Sequence, residues 1–127
     1  MQYFTNKNLK GGLKMKGLYI KKQWLDLIVD GKKRMEIRGT ATKNIKQTIA
    51  LVESGTGLIR AYAYIESCKQ IDRETLEQFK QYHCIEDTNI VTYKNIYAWV
   101  FGKVNALEQP IKAKGLKHGQ VVWINLE

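Results

Sequence analysis

An α+β domain is the fold class this sequence predicts: a small, mostly antiparallel β-barrel with helices at its rim. Three observations predict it. Short runs rich in β-branched and aromatic residues recur along the chain, separated by turn residues. Helical patterns are inserted among these runs without regular alternation, which argues against a doubly wound sheet. A length of 127 residues suits one domain, and an apolar fraction of 44% is enough for a core. Closing the strands into a barrel would hide the sheet edges from other chains.

Residues 1–16 read as a polar, basic N-terminal extension containing Gly11-Gly12, and a single domain spans 17–127. Leu18-Tyr19-Ile20 is a short strand. Residues 23–30 form a helix with Trp24, Leu27 and Ile28 on one face, which assigns Trp24 to the core. Gly31 ends that helix, because glycine accepts a left-handed backbone. Residues 34–37 and 47–53 are strands, the second carrying Thr48, Ile49 and Val52. Ser54-Gly55-Thr56-Gly57 is a turn that pairs 47–53 with a long strand over 58–68 as a hairpin. Asp72 caps a helix over 73–82, with Leu76 and Phe79 turned inward. A short second helical piece fits within 83–95. Residues 96–107 are a strand with an interruption at Gly102, and 121–126 close the fold.

The formal net charge is +9. Lys7, Lys10, Lys14, Lys16, Lys21 and Lys22 precede the first acid, whereas acids concentrate between Glu66 and Asp87. That asymmetry favours one positive face, and nucleic acid is the commonest polyanionic partner of such a face. The plainer alternative is solubility alone. No apolar run approaches the ~20 residues that span a bilayer, and the polar N-terminus lacks an apolar signal core, so a cytoplasmic, membrane-free protein is expected. Cys68 and Cys84 lack metal-type spacing, and a cytosolic setting opposes a disulfide; both are expected as buried small hydrophobes. His83 beside Cys84 resembles half a zinc site with nothing to supply the other ligands, so no metal and no cofactor is expected. His118 lies in a basic stretch with Lys112, Lys114 and Lys117, where a solvated loop is the simpler role.

The stretch Gly31-Lys32-Lys33-Arg34-Met35-Glu36-Ile37-Arg38 carries the clearest chemistry. An extended segment presents alternate side chains on one face, and a tight turn after Gly31 would bring Lys33, Glu36 and Arg38 to one mouth. Partial burial and an adjacent cation lower a lysine pKa, which makes Lys33 a candidate base or nucleophile. Glu36 would accept from a ligand amino group or pair with Lys33 or Arg38, and Arg38 offers a planar fork for phosphate or carboxylate. Against these stand a solvated lysine and a plain surface ion pair. Gly55 and Thr56 can approach a phosphate through backbone amides, although the segment lacks the length and lysine of a P-loop and reads more simply as a hairpin turn. Tyr62, Tyr64, Tyr93, Tyr97, Trp99 and Trp123 are strand aromatics. Bases stack on such rings when they are exposed, and Tyr97 and Trp99 share one strand face.

The spacing G-x-K-x-x-E-x-R at Gly31, Lys33, Glu36 and Arg38 resembles the ASCH domain, the activating-signal-cointegrator homology domain of the PUA-like superfamily. The flanking Gly17-Leu18-Tyr19-Ile20, Tyr97-Ala98-Trp99-Val100 and Val121-Val122-Trp123-Ile124 segments carry the likeness across almost the whole domain. The resemblance implies a small β-barrel with a cleft beside the motif that binds RNA, single-stranded nucleic acid or a modified nucleoside. It also implies an alternative, since some ASCH proteins are hydrolases of 4-acetylcytidine or ribonucleases. The hydrolase branch has a lysine at the place of Lys33, a threonine at the place of Glu36 and a later glutamate, for which Glu86 is the nearest candidate. Here the lysine matches and the threonine does not, and a carboxylate cannot replace a hydroxyl nucleophile without changing the chemistry. A nucleic-acid-binding module, an enzyme using Lys33 and Glu36, and a protein-interaction domain are therefore the three readings, in that order.

Overall fold

A computed structural model of the protein describes residues 15–117 and 122–126. Strand β1 (Lys16–Ile20) leads into α1 (Lys22–Val29), β2 (Met35–Arg38), β3 (Gln47–Glu53) and β4 (Leu58–Ile71). Two short helices follow, α2 (Arg73–Gln78) and α3 (Lys80–His83), then a 3₁₀ turn (Thr88–Ile90), β5 (Ile96–Lys112), β6 (Gly115–Lys117) and β7 (Trp123–Leu126). The strands form one sheet in the order β2-β5-β4-β3-β1-β7-β6. Among the described residues only β1 and β3 pair in parallel; the other pairings are antiparallel.

The α+β class and the mostly antiparallel sheet hold. The closed barrel does not: among the described residues β2 and β6 end the strand order without meeting. The edge that closure was expected to hide is covered by a helix end instead. The Arg34 N–H, just before β2, donates to the Tyr82 carbonyl of α3 at 2.7 Å.

Strand β3 lies in the middle of the sheet and is buried on both faces, which explains its unbroken apolar run. Ile49 and Leu51 pack with Leu25 and Ile28 of α1 and with Trp99. Ala50 and Val52 face the other way, toward Met15, Ile124 and Leu126. Met15 is buried and Lys16 opens β1, so the fold reaches two residues into the stretch read as an extension; residues 1–14 lie outside the described residues. Strand β4 alternates buried and outward positions up to Glu66. Register shifts in the β4–β5 ladder let these two long strands bend. Strand β5 passes through Gly102 without the expected break.

A third apolar group gathers Leu76, Ile85, Val91 and Ile96 under Met35 and Ile37 of β2. It draws the segment after α3 up against β2, which sets the geometry of the site. The helix expected over 73–82 is capped by Asp72, which accepts from the Thr75 N–H at 2.8 Å, but it breaks at Phe79. The break re-aims the last turn so that its carbonyls face β2. Val121, the first residue of the expected closing strand, and His118 of the basic stretch lie outside the described residues. No helix among the described residues is long and apolar enough to cross a membrane.

Candidate functional site

Gly31 builds the site. It takes φ +83° directly after α1, a conformation that disfavours any residue with a Cβ. Its N–H donates to the Ile28 carbonyl at 3.0 Å, and the N–H groups of Lys32 and Lys33 donate to Leu27 at 2.9 and 3.0 Å. The chain doubles back and turns the Lys33 side chain inward. Strand β2 then alternates: Met35 and Ile37 join the apolar group beneath, while Glu36 and Arg38 share the opposite face.

Lys33, Glu36 and Arg38 converge on a cavity of about 430 Å³. Glu36 is the hinge of the group. Its Oε2 accepts from Arg38 Nε at 2.7 Å, and its Oε1 lies 3.7 Å from Lys33 Nζ. Lys33 is only 2% exposed; its ammonium donates to the His83 carbonyl at 2.6 Å and lies 4.9 Å from the centre of the Trp24 ring. Burial pulls the Lys33 pKa below its ordinary value, and the Glu36 carboxylate opposes that shift without reversing it. Arg38 also donates through Nη2 to the Tyr19 carbonyl at 3.0 Å, and its guanidinium crosses the Trp99 ring at 5.5 Å. Its fork is thereby held in place at the cavity wall.

Several expected site residues lie elsewhere. Trp99 is 1% exposed, stacks on Trp123 with ring centres 5.8 Å apart, and donates its indole N–H to the Thr40 carbonyl. Buried under Arg38, it cannot receive a base. Tyr97 packs against the main core and does not line the cavity. Gly55 and Thr56 belong to the β3–β4 hairpin turn, where the Thr56 carbonyl accepts from Lys112; only their neighbour Ser54 reaches the cavity. Glu86 is exposed and outside the lining, which leaves Glu36 as the cavity's single acid among the described residues. Trp24, expected in the core, is half-buried and lines the cavity, whereas Leu25 and Ile28 form the buried stripe of α1.

His83 is fully buried with both ring nitrogens committed to backbone. Nδ1 accepts from the Ile85 N–H at 2.9 Å, so Nε2 carries the proton and donates to the Leu76 carbonyl at 2.7 Å. Burial lowers its pKa. Cys68 and Cys84 are half-buried, not fully buried as expected, and carry no disulfide. No group of three metal-ligating side chains occurs among the described residues.

Sequence reasoning missed the rest of the lining. Tyr19 and Lys21 reach the cavity from the end of β1, and their alternate spacing around the buried Ile20 was a legible signal. Ile85, Ile90, Val91 and Thr92 come from the segment after α3, which no local pattern connects to β2; Tyr93 beside them, named among the strand aromatics, lines the cavity from outside any strand. Among the described residues the cavity carries Lys21, Lys33 and Arg38 against Glu36, so its field favours an anion.

Comparisons with known proteins agree with this architecture. The chain is similar in fold to the crystal structure of a serine-to-alanine mutant of an ASCH protein from Zymomonas mobilis: TM-score 0.71 and 16% identity, with 90% of this chain and 89% of that one covered. The unmutated Zymomonas mobilis ASCH structure gives TM-score 0.66 and 19% identity, with 78% and 73% covered. A tyrosine-to-phenylalanine mutant of the same protein gives TM-score 0.66 and 19% identity, with 78% and 76% covered. No curated protein matches. The ASCH domain family model matches residues 18–111, from β1 to the end of β5, and the chain belongs to the ASCH domain family, with its PUA-like fold.

Proposed function

We propose that this ASCH domain binds RNA, taking one single-stranded nucleotide or extruded base into the cavity beside β2. The observation that carries this reading is the convergence of Lys33, Glu36 and Arg38 on one cavity whose charge is net positive. Exposed Lys21 and the Arg38 guanidinium meet phosphate, and Lys33 meets a base or phosphate acceptor. Glu36, lying between Lys33 and Arg38, accepts from an exocyclic amino group. The volume lies near the lower end of the ~300–1,000 Å³ range of small-ligand pockets, which suits one nucleotide and excludes a duplex. The free-standing basic charge of the chain supports the same partner class.

Titration of a fluorescently labelled single-stranded RNA tests it. Log affinity is expected to fall with log salt by about 0.7 per neutralised phosphate. Lys21→Ala should lower that slope by about one such step, and Lys33→Met should weaken binding at every salt concentration. An isotherm indifferent to salt, or full affinity in both variants, would rule the reading out.

A second reading rests on one further observation, the buried Lys33 amine with its lowered pKa. An amine that gives up its proton more readily than an ordinary lysine can act as a base, with Glu36 as its acid–base partner, in hydrolysis of a modified nucleoside or in RNA cleavage. Incubation with 4-acetylcytidine and with RNA separates the two readings. Turnover that disappears in Lys33→Met selects the enzyme, and binding without turnover selects the module.

A further inference from the structure

We propose that Tyr93 is the stacking platform of the cavity: the flat ring of a bound nucleotide lies on the Tyr93 ring, alongside Ile90, while its phosphate meets Lys21 and Arg38. This inference rests on the nucleotide reading above. The two tryptophan rings nearest the site are already engaged. Trp99 is enclosed between Trp123 and Arg38, and Trp24 faces the Lys33 ammonium. Tyr93 lines the cavity and is 46% exposed, and Ile90 on the same wall is 59% exposed.

The wall is rigidly built although its side chains are bare. Gly39, directly after Arg38, lies so close to Tyr93 that an added Cβ would stand 2.6 Å from Cδ1 and 2.9 Å from Cγ of the ring. Gly39 has no left-handed backbone to account for its being glycine, so it is the Tyr93 ring that excludes a side chain there. From the other side Arg73 clamps the segment, donating through Nη1 to the Val91 carbonyl and through Nη2 to the Thr88 carbonyl, both at 2.8 Å. The Thr88 hydroxyl donates to Glu77 at 2.7 Å. An exposed aromatic ring on a braced wall beside fixed cations is pre-organised for a planar anionic ligand, because little freedom remains to be lost on binding. Gly39 and Arg73 are accordingly positioning residues for the platform.

The test compares equilibrium binding of cytidine 5′-monophosphate, adenosine 5′-monophosphate and ribose 5-phosphate, the last having phosphate and sugar but no base. Wild type and Tyr93→Phe should bind both nucleotides more tightly than ribose 5-phosphate. Tyr93→Ala should lower nucleotide affinity by about 5- to 150-fold and leave ribose 5-phosphate binding unchanged. Gly39→Ala, which displaces the ring without removing it, should give a smaller loss for the nucleotides only. Equal wild-type affinity for all three ligands overturns the platform, as does a Tyr93→Ala effect that is absent or the same on each. If ribose 5-phosphate still binds and is lost in Lys21→Ala, the phosphate site survives that failure. Absence of binding by all three ligands and by RNA overturns both readings.

Discussion

Lys33 and Arg38 share Glu36 unequally, and the inequality separates their roles. Arg38 holds Oε2 in a short charge-assisted bond, whereas Lys33 lies 3.7 Å from Oε1 and is anchored to the His83 carbonyl. Removing Arg38 leaves a buried carboxylate without its close partner; removing Lys33 does not. Arg38→Met is therefore expected to cost about 3–5 kcal/mol of stability and Lys33→Met about 1 kcal/mol or less, measured by urea unfolding. Equal losses would contradict this division. The lowered Lys33 pKa adds a pH signature. Below its folded-state pKa the buried charge costs stability, and that cost is relieved as pH rises toward the ordinary 10.5, so wild type should gain on Lys33→Met over that interval. At this scale the motif was legible, because one glycine turn and one strand alternation bring all three side chains together. Trp99 was not, because alternation along β5 does not reveal which face Arg38 and Trp123 will cover.

The short helices α2 and α3 act as a bracket for β2. The break at Phe79 and the left-handed Cys84, at φ 65°, turn the end of α3 so that Tyr82 and His83 offer their carbonyls to Arg34 and Lys33. The His83 imidazole holds this bracket by joining α2 to the chain after α3. Its folded-state pKa is depressed, so the unfolded chain takes up the proton first as the solution is acidified. Wild-type stability should fall as pH drops below about 6.5, the ordinary histidine value, and His83→Gln should remove that part of the pH dependence while lowering stability at pH 8. Parallel pH profiles for the two proteins would refute the assignment. The Asp72 cap was legible in the sequence, since capping needs only a side chain and the first turn. The break was not, because what re-aims α3 is its contact with β2, some fifty residues earlier in the chain.

At the scale of the whole molecule, the open sheet has apolar groups on both faces, and only one end carries the cavity. Gly17 lies in the group away from the cavity, where an added Cβ would meet Ile124 at 2.8 Å and Val52 at 3.1 Å. Gly17→Ala should cost about 1–3 kcal/mol through overpacking, read as a lowered thermal midpoint. A variant as stable as wild type would show that β1 and β7 are loosely packed.

The sequence by itself determined the α+β class, the order of the main elements, the turn at Gly31 and the grouping of Lys33, Glu36 and Arg38. Each depends on short-range causes: side-chain period, turn chemistry and the conformational freedom of one glycine. Only the tertiary structure decided that the sheet stays open, that a helix end covers β2, and that Tyr93 and Ile90 rather than Tyr97 and Trp99 face the cavity. Those outcomes come from apolar burial between distant segments, which is non-directional and leaves no local mark on the chain.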